Sequence, residues 1–102
     1  RDVDGDWIDV PYVKDHFVMN SGEVLRHWSN GKFLATPHRV VNRTGKERYS
    51  CPFFFDPNIH SRISALPSCV EEGVQSKYSD TVFGDMVMSH LRSNHDQHTE
   101  NN

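Results

Sequence analysis

Cysteine is scarce in this chain, and long apolar runs are missing. Cys51 and Cys69 are the only cysteines among 102 residues, too few for a disulfide scaffold and without the C-x-x-C spacing of a zinc or redox site. Free thiols in a reducing, cytoplasmic compartment are the expectation. No apolar stretch approaches the roughly 18 residues of a membrane-spanning helix. The opening RDVDGDW lacks the basic-then-apolar pattern of a secretory leader. An excess of one charge is missing too. The formal charge is −3 and the pI about 6.1, so neither nucleic acid nor an anionic membrane surface is an expected partner. Hydrophobic residues make up 35% of the chain, with a mean hydropathy of −0.70. A chain of this size hides only about two-thirds of the surface its unfolded form exposes, so it holds one small domain with a marginal core. Arg1 stands where an initiator Met is expected, and the sequence reads as a piece of a longer protein.

What is present is concentrated. Nine of the eleven aromatic residues fall between Trp7 and Phe55, which predicts that the core lies in the first 57 residues. Trp7–Val13 and His16–Asn20 read as short strands, rich in β-branched and aromatic residues and separated by a Lys14-Asp15 turn. The period then changes. Ser21 reads as an N-cap, Val24, Leu25 and Trp28 share a helical face, and Asn30-Gly31 is a stop. Strand character returns over Leu34–Asn42, breaks at Arg43-Thr44-Gly45-Lys46, and resumes over Glu47–Phe55 until Asp56-Pro57-Asn58. A last helix is predicted over Val82–Arg92 behind a Thr81 cap, because Phe83, Val87 and Leu91 repeat every four residues. The division is therefore 1–58 as a β-rich part, 59–92 as an extension with a helix, and 93–102 as a disordered polar tail.

Seven histidines raise the question of a metal site. His16, His27, His60, His90 and His95 have no partner at ligand spacing. His98-Thr99-Glu100 fits H-x-[D/E] by chance, in a tail unable to hold ligands rigid. His38 differs, because it lies within a strand, and Arg48-Tyr49-Ser50 follows on the next one. Arg48 and Ser50 share a strand face, since side chains alternate with period two. A guanidinium fork and a hydroxyl on one face can clamp a carboxylate. The same residues on an exposed hairpin would be routine surface.

Three blocks carry a resemblance: Arg26-x-Trp28-Ser29-Asn30-Gly31-Lys32-Phe33, Thr36-Pro37-His38-Arg39-Val40-Val41-Asn42, and Glu47-Arg48-Tyr49-Ser50-x-Pro52-Phe53-Phe54-Phe55-Asp56-Pro57-Asn58. Together they resemble the C-terminal half of the non-haem iron(II), 2-oxoglutarate-dependent dioxygenases of the isopenicillin N synthase-like family, from about Gly5 to Leu91. The resemblance implies a mainly β fold. This is part of a double-stranded β-helix, or jelly-roll, with a short inserted helix and a C-terminal helix. It implies Fe(II) as cofactor and 2-oxoglutarate as cosubstrate, with O2 and a small organic molecule as the other reactants. By the same resemblance His38 is the second iron-binding histidine, and Arg48 and Ser50 hold the distal carboxylate of 2-oxoglutarate. By strand parity Val40 lies on the face of His38 and Phe54 on that of Ser50, as pocket walls or as core filling.

The chain departs from the family at the metal. The other two ligands of the facial triad come as H-x-D, and no H-x-D precedes His38. A lone imidazole does not hold Fe(II) tightly, so the chain alone is expected to be inactive. The H-x-D is expected roughly 20 residues upstream of Arg1, on a strand ending beside His38. The alternatives are a truncated, non-catalytic β-domain with at most a binding or structural role, and a small cupin-like barrel, for which only His38 qualifies. A two-residue hairpin at Thr44-Gly45 would turn Arg48 away from His38. Facing sheets about 10 Å apart would let both point into one cavity. Arg39 and Tyr49 are then expected to point out of it, and half a jelly-roll is expected to leave an open, apolar concavity.

Overall fold

The computed structural model describes residues 1–2 and 4–99, with side chains through residue 93. Its elements in chain order are α1 (Glu23–Trp28), β1 (Arg62–Ile63), a 3-10 turn (Pro67–Cys69), β2 (Thr81–Val82) and α2 (Phe83–Thr99). β1 and β2 pair antiparallel, Arg62 opposite Val82 and Ile63 opposite Thr81.

The helix predicted after Asn20 is present, with different ends in detail. Gly22 is its N-cap, without a side-chain cap. Ser21, expected as the cap, instead donates its hydroxyl to the Leu34 carbonyl at 2.6 Å. Asn30 and Gly31 stop the helix through left-handed backbone, at φ 52 and 83. Glu23 at the first turn and Arg26 one turn on form an ion pair of 2.6 Å, the order that suits the helix dipole.

The best-packed region lies where α1 meets residues 59–84, which corrects the expectation of a core within the first 57 residues. Ile63, with no exposed surface, is the buried hydrophobic residue among those described, and Ser29 and Asn30 are buried polar ones. Trp28 O accepts from Leu66 N at 2.9 Å, and the Asn30 amide reaches Cys69, Ser76 and Lys77. Arg26 and His27 both pack against the Tyr78 ring. Arg62 pairs with Asp80 beside the strand pair. The sequence of 59–81 shows no strong period, so a core built from one isoleucine and a buried amide leaves no apolar pattern to read.

The last helix starts where expected, but Thr81 stands in β2 rather than capping it. Its first N–H groups are satisfied by backbone instead: Phe83 N donates to Ser61 O and Gly84 N to Ile59 O, each at 2.9 Å. The helix runs through residues 93–99, where a disordered tail was expected. Once the first turns are fixed, each further residue adds a backbone hydrogen bond without needing apolar contact. Residues 100–102 of that tail lie outside the described residues.

The segments expected as strands, 7–13, 16–20, 34–42 and 47–55, form no helix and no strand ladder among the described residues. The turns between them do form. Asp15 takes φ 59 in the Lys14-Asp15 turn, and Gly45 takes φ 67. The Asn42 side chain holds the second turn, accepting from Thr44 N at 3.2 Å and donating to Lys46 O at 2.7 Å. A strand needs a neighbour for its backbone groups, and this half of the chain has none here. The consequence shows in its dimensions. The radius of gyration is 16.8 Å, against about 13 Å for a compact chain of this length. The accessible surface is 9617 Å², against about 5,900 Å² for a compact monomer of this mass. Phe17, Met19, Phe53 and Phe55 are almost wholly exposed.

Candidate functional site

His38 sits in the extended segment 34–43, directly after Pro37, with its ring exposed. Its Nδ1 lies 3.0 Å from the Thr36 carbonyl oxygen. Because that oxygen only accepts, Nδ1 carries the proton in the neutral ring, and Nε2 is left with a lone pair. That is the state in which imidazole ligates a metal.

The neighbours of His38 alternate. Arg39 lies over the Trp7 ring, 4.0 Å from its centroid, and Arg1 lies 4.8 Å from the same ring. Arg43 reaches Asp9 at 3.7 Å. Arg39, Arg43, Asp9 and Val41 line an open cleft of about 330 Å³ with Trp7. His38 and Val40 do not line that cleft. No apolar or charge period in the sequence marks the Trp7–Arg39 stack. It becomes visible only once the two segments lie side by side.

Arg48 and Ser50 stand on the second extended segment, both exposed. Tyr49 donates its hydroxyl to Glu47 Oε2 at 3.1 Å, which places 47 and 49 on one side. Arg48 and Ser50 stand two residues apart on this segment. Among the described residues the ion pairs are Glu23–Arg26, Asp9–Arg43 and Arg62–Asp80, so the Arg48 guanidinium has no internal counter-charge.

The structure does not gather these residues into one concavity. A second cleft, about 240 Å³, is lined by Arg1, Asp2, Arg26 and Leu34–Pro37. His38, Arg48, Ser50, Val40 and Phe54 line neither cleft. Val40 and Phe54 are exposed at 62% and 75%, so here they wall no pocket. Among the described residues no ladder joins the two segments.

Among the described residues, no three His, Cys, Asp or Glu side chains lie close enough to hold a metal ion. The donor set therefore fits one position of a two-histidine, one-carboxylate site and not the whole of it. His98-Thr99-Glu100 lies outside the residues whose side chains are described. No helix among the described residues is long and apolar enough to cross a membrane.

The sequence profile of the 2OG-Fe(II) oxygenase superfamily matches residues 1–57, more than half of the chain. The chain belongs to that superfamily. Its matched part contains His38, Arg48 and Ser50 and ends where α1 and the extended segments give way to the extension. Similar proteins include the 2-oxoglutarate-Fe(II) type oxidoreductase hxnY of Emericella nidulans, 40% identical over 81% of this chain and 24% of its own length. Feruloyl CoA ortho-hydroxylase 1 of Arabidopsis thaliana is 35% identical over 90% of this chain and 26% of its own. Homoarginine-6-hydroxylase 2-ODD-233 of Oryza sativa subsp. japonica is 34% identical over 92% and 29%. The chain thus spans about a quarter of the length of these oxygenases. No solved structure matches it significantly. The superfamily comprises oxidoreductases that use Fe(II) and 2-oxoglutarate.

Proposed function

We propose that this chain is the C-terminal portion of an Fe(II)- and 2-oxoglutarate-dependent dioxygenase with a jelly-roll core, acting on a small organic substrate. The observation that carries the reading is the order within the family match: His38, then Arg48 and Ser50 two residues apart on the following segment. His38 supplies one imidazole, through Nε2, to an Fe(II) whose other ligands come from an H-x-D on a strand upstream. Arg48 holds the far carboxylate of 2-oxoglutarate through paired N–H donors, with Ser50 adding a hydroxyl. Val40 and Phe54 form walls that keep water from the site.

When bound, iron supplies the activation of O2: one oxygen atom enters the succinate formed as 2-oxoglutarate loses CO2, and the other goes to the substrate. The chain's residues bind, orient and desolvate. The relatives' names cover a CoA thioester and an amino acid, so the segment they share with this chain holds the common cosubstrate end of the site. Substrate choice then rests on other segments. A cytoplasmic setting, with both cysteines reduced, belongs to the same reading.

The missing ligands favour a second reading for the chain on its own, a non-catalytic β-domain. Succinate formation separates the two. A full-length oxygenase carrying this sequence should convert 2-oxoglutarate to succinate with Fe(II) and lose that activity on His38→Ala, while the 102-residue chain alone should form none above a metal-free control. Turnover indifferent to His38→Ala contradicts the oxygenase reading.

A further inference from the structure

Pro37 stands between His38 and the carbonyl that its ring engages. The bond from His38 Nδ1 to Thr36 O, at 3.0 Å, selects the neutral tautomer with its proton on Nδ1. A free histidine side chain favours the opposite tautomer, with the proton on Nε2, so the bond works against an intrinsic preference. On an exposed ring a single hydrogen bond is a modest force, and it prevails only if the backbone already holds the acceptor in place.

Proline does that. Its ring fixes φ at residue 37, and its Cδ confines residue 36 to extended backbone. Two of the torsions that place the Thr36 carbonyl relative to the His38 ring are therefore set before the bond forms. His16 provides the contrast within the same chain. Its Nδ1 lies 2.8 Å from Lys14 O, but across Asp15, whose φ of 59 puts a non-glycine residue in the sparsely used left-handed region. The same ring-to-carbonyl contact is reached there through a turn, and at His38 through an extended dipeptide stiffened by proline.

We infer that Pro37 is a positioning residue: the Thr36-Pro37 unit holds neutral His38 as its Nδ1–H tautomer and so presents Nε2 to a metal ion in advance. The consequence for iron rests on the proposed function, whereas the tautomer is a property of this chain without metal. Partners that hold the second nitrogen of a ligating histidine typically change metal affinity by about 10- to 100-fold.

Two-bond proton–nitrogen spectra of the ¹⁵N-labelled 102-residue chain, taken with the imidazoles neutral, read the tautomer directly, and His38→Gln identifies the His38 signals. The Nδ1–H form should predominate at His38 and fall several-fold in Pro37→Gly, less in Pro37→Ala, with His16 unchanged. An Nε2–H majority at His38, or a ratio untouched by Pro37→Gly, overturns the role of Pro37 and leaves the iron reading standing. In a full-length oxygenase, Pro37→Gly should raise the Fe(II) dissociation constant about 10-fold, with the KM for 2-oxoglutarate unchanged at saturating iron. A tautomer shift without any loss of iron affinity overturns the metal-presenting part of the inference and counts against His38 as the ligand.

Discussion

The side-chain oxygen of Asn30 accepts a hydrogen bond from the backbone N–H of Lys77 at 2.9 Å, joining points 47 residues apart. The same amide donates to Cys69 O and accepts from the Ser76 hydroxyl, each at 3.4 Å. A residue that ends a helix thereby holds the extension against α1. Its burial makes the contacts hard to replace, since an unmet buried donor or acceptor costs about 1–3 kcal/mol.

Asn30→Ala should therefore loosen the extension. Amide hydrogen exchange at Lys77 and Leu66 should quicken by at least tenfold, while exchange within residues 7–13 stays as it was. Unchanged protection at Lys77 would show that the amide network is incidental.

Gly84→Ala offers a test of opposite sign to helix propensity. Alanine ordinarily favours a helix by about 1 kcal/mol over glycine. Here a Cβ would meet Ile59 Cγ1 at 2.9 Å and the Ile59 carbonyl oxygen at 3.1 Å, and overpacking of this kind typically costs about 1–3 kcal/mol. Helical circular dichroism followed through urea unfolding should show a lower midpoint for Gly84→Ala. A raised midpoint would mean that α2 does not dock on Ile59.

These two sites mark what could and could not be read from the residues. Val24, Leu25 and Trp28 repeat on one face and Asn30-Gly31 follows, so α1 was legible, because helix signals are local. The two-residue spacing of Arg48 and Ser50 is equally local, and their action as a carboxylate clamp is part of the proposed function. The buried role of Asn30 was not, since its partners lie 39 to 47 residues away and no periodicity announces them. The extended segments failed for a third reason. Residues such as Val10, Tyr12, Phe17 and Val18 have strand character, but a strand exists only in a ladder, and the partners are not among the described residues. His38 and Arg48 were expected in one cavity, and neither lines a cleft among the described residues.

The uncovered aromatics have a consequence in solution. Phe17, Met19 and Phe55 are at least 94% exposed, and large exposed apolar side chains promote association. The isolated chain should sediment as a concentration-dependent mixture of oligomers, and Phe17→Ser combined with Phe55→Ser should shift it toward monomer. A monomer at all concentrations would contradict the reading of these side chains as uncovered core.

The clamp is the part of the account that one measurement can decide. Arg48 and Lys46 lie two residues apart and carry the same charge, but only Arg48 is proposed to hold the far carboxylate of 2-oxoglutarate, where a forked ion pair closed off from water in the complete enzyme would be strong. Lys46 stands at the Asn42 turn, where an exposed pair contributes about 0–1 kcal/mol. In a full-length oxygenase carrying this sequence, the KM for 2-oxoglutarate should rise at least tenfold in Arg48→Ala and stay within about twofold in Lys46→Ala. Equal effects of the two substitutions, or none at Arg48, would contradict the assignment of the cosubstrate site.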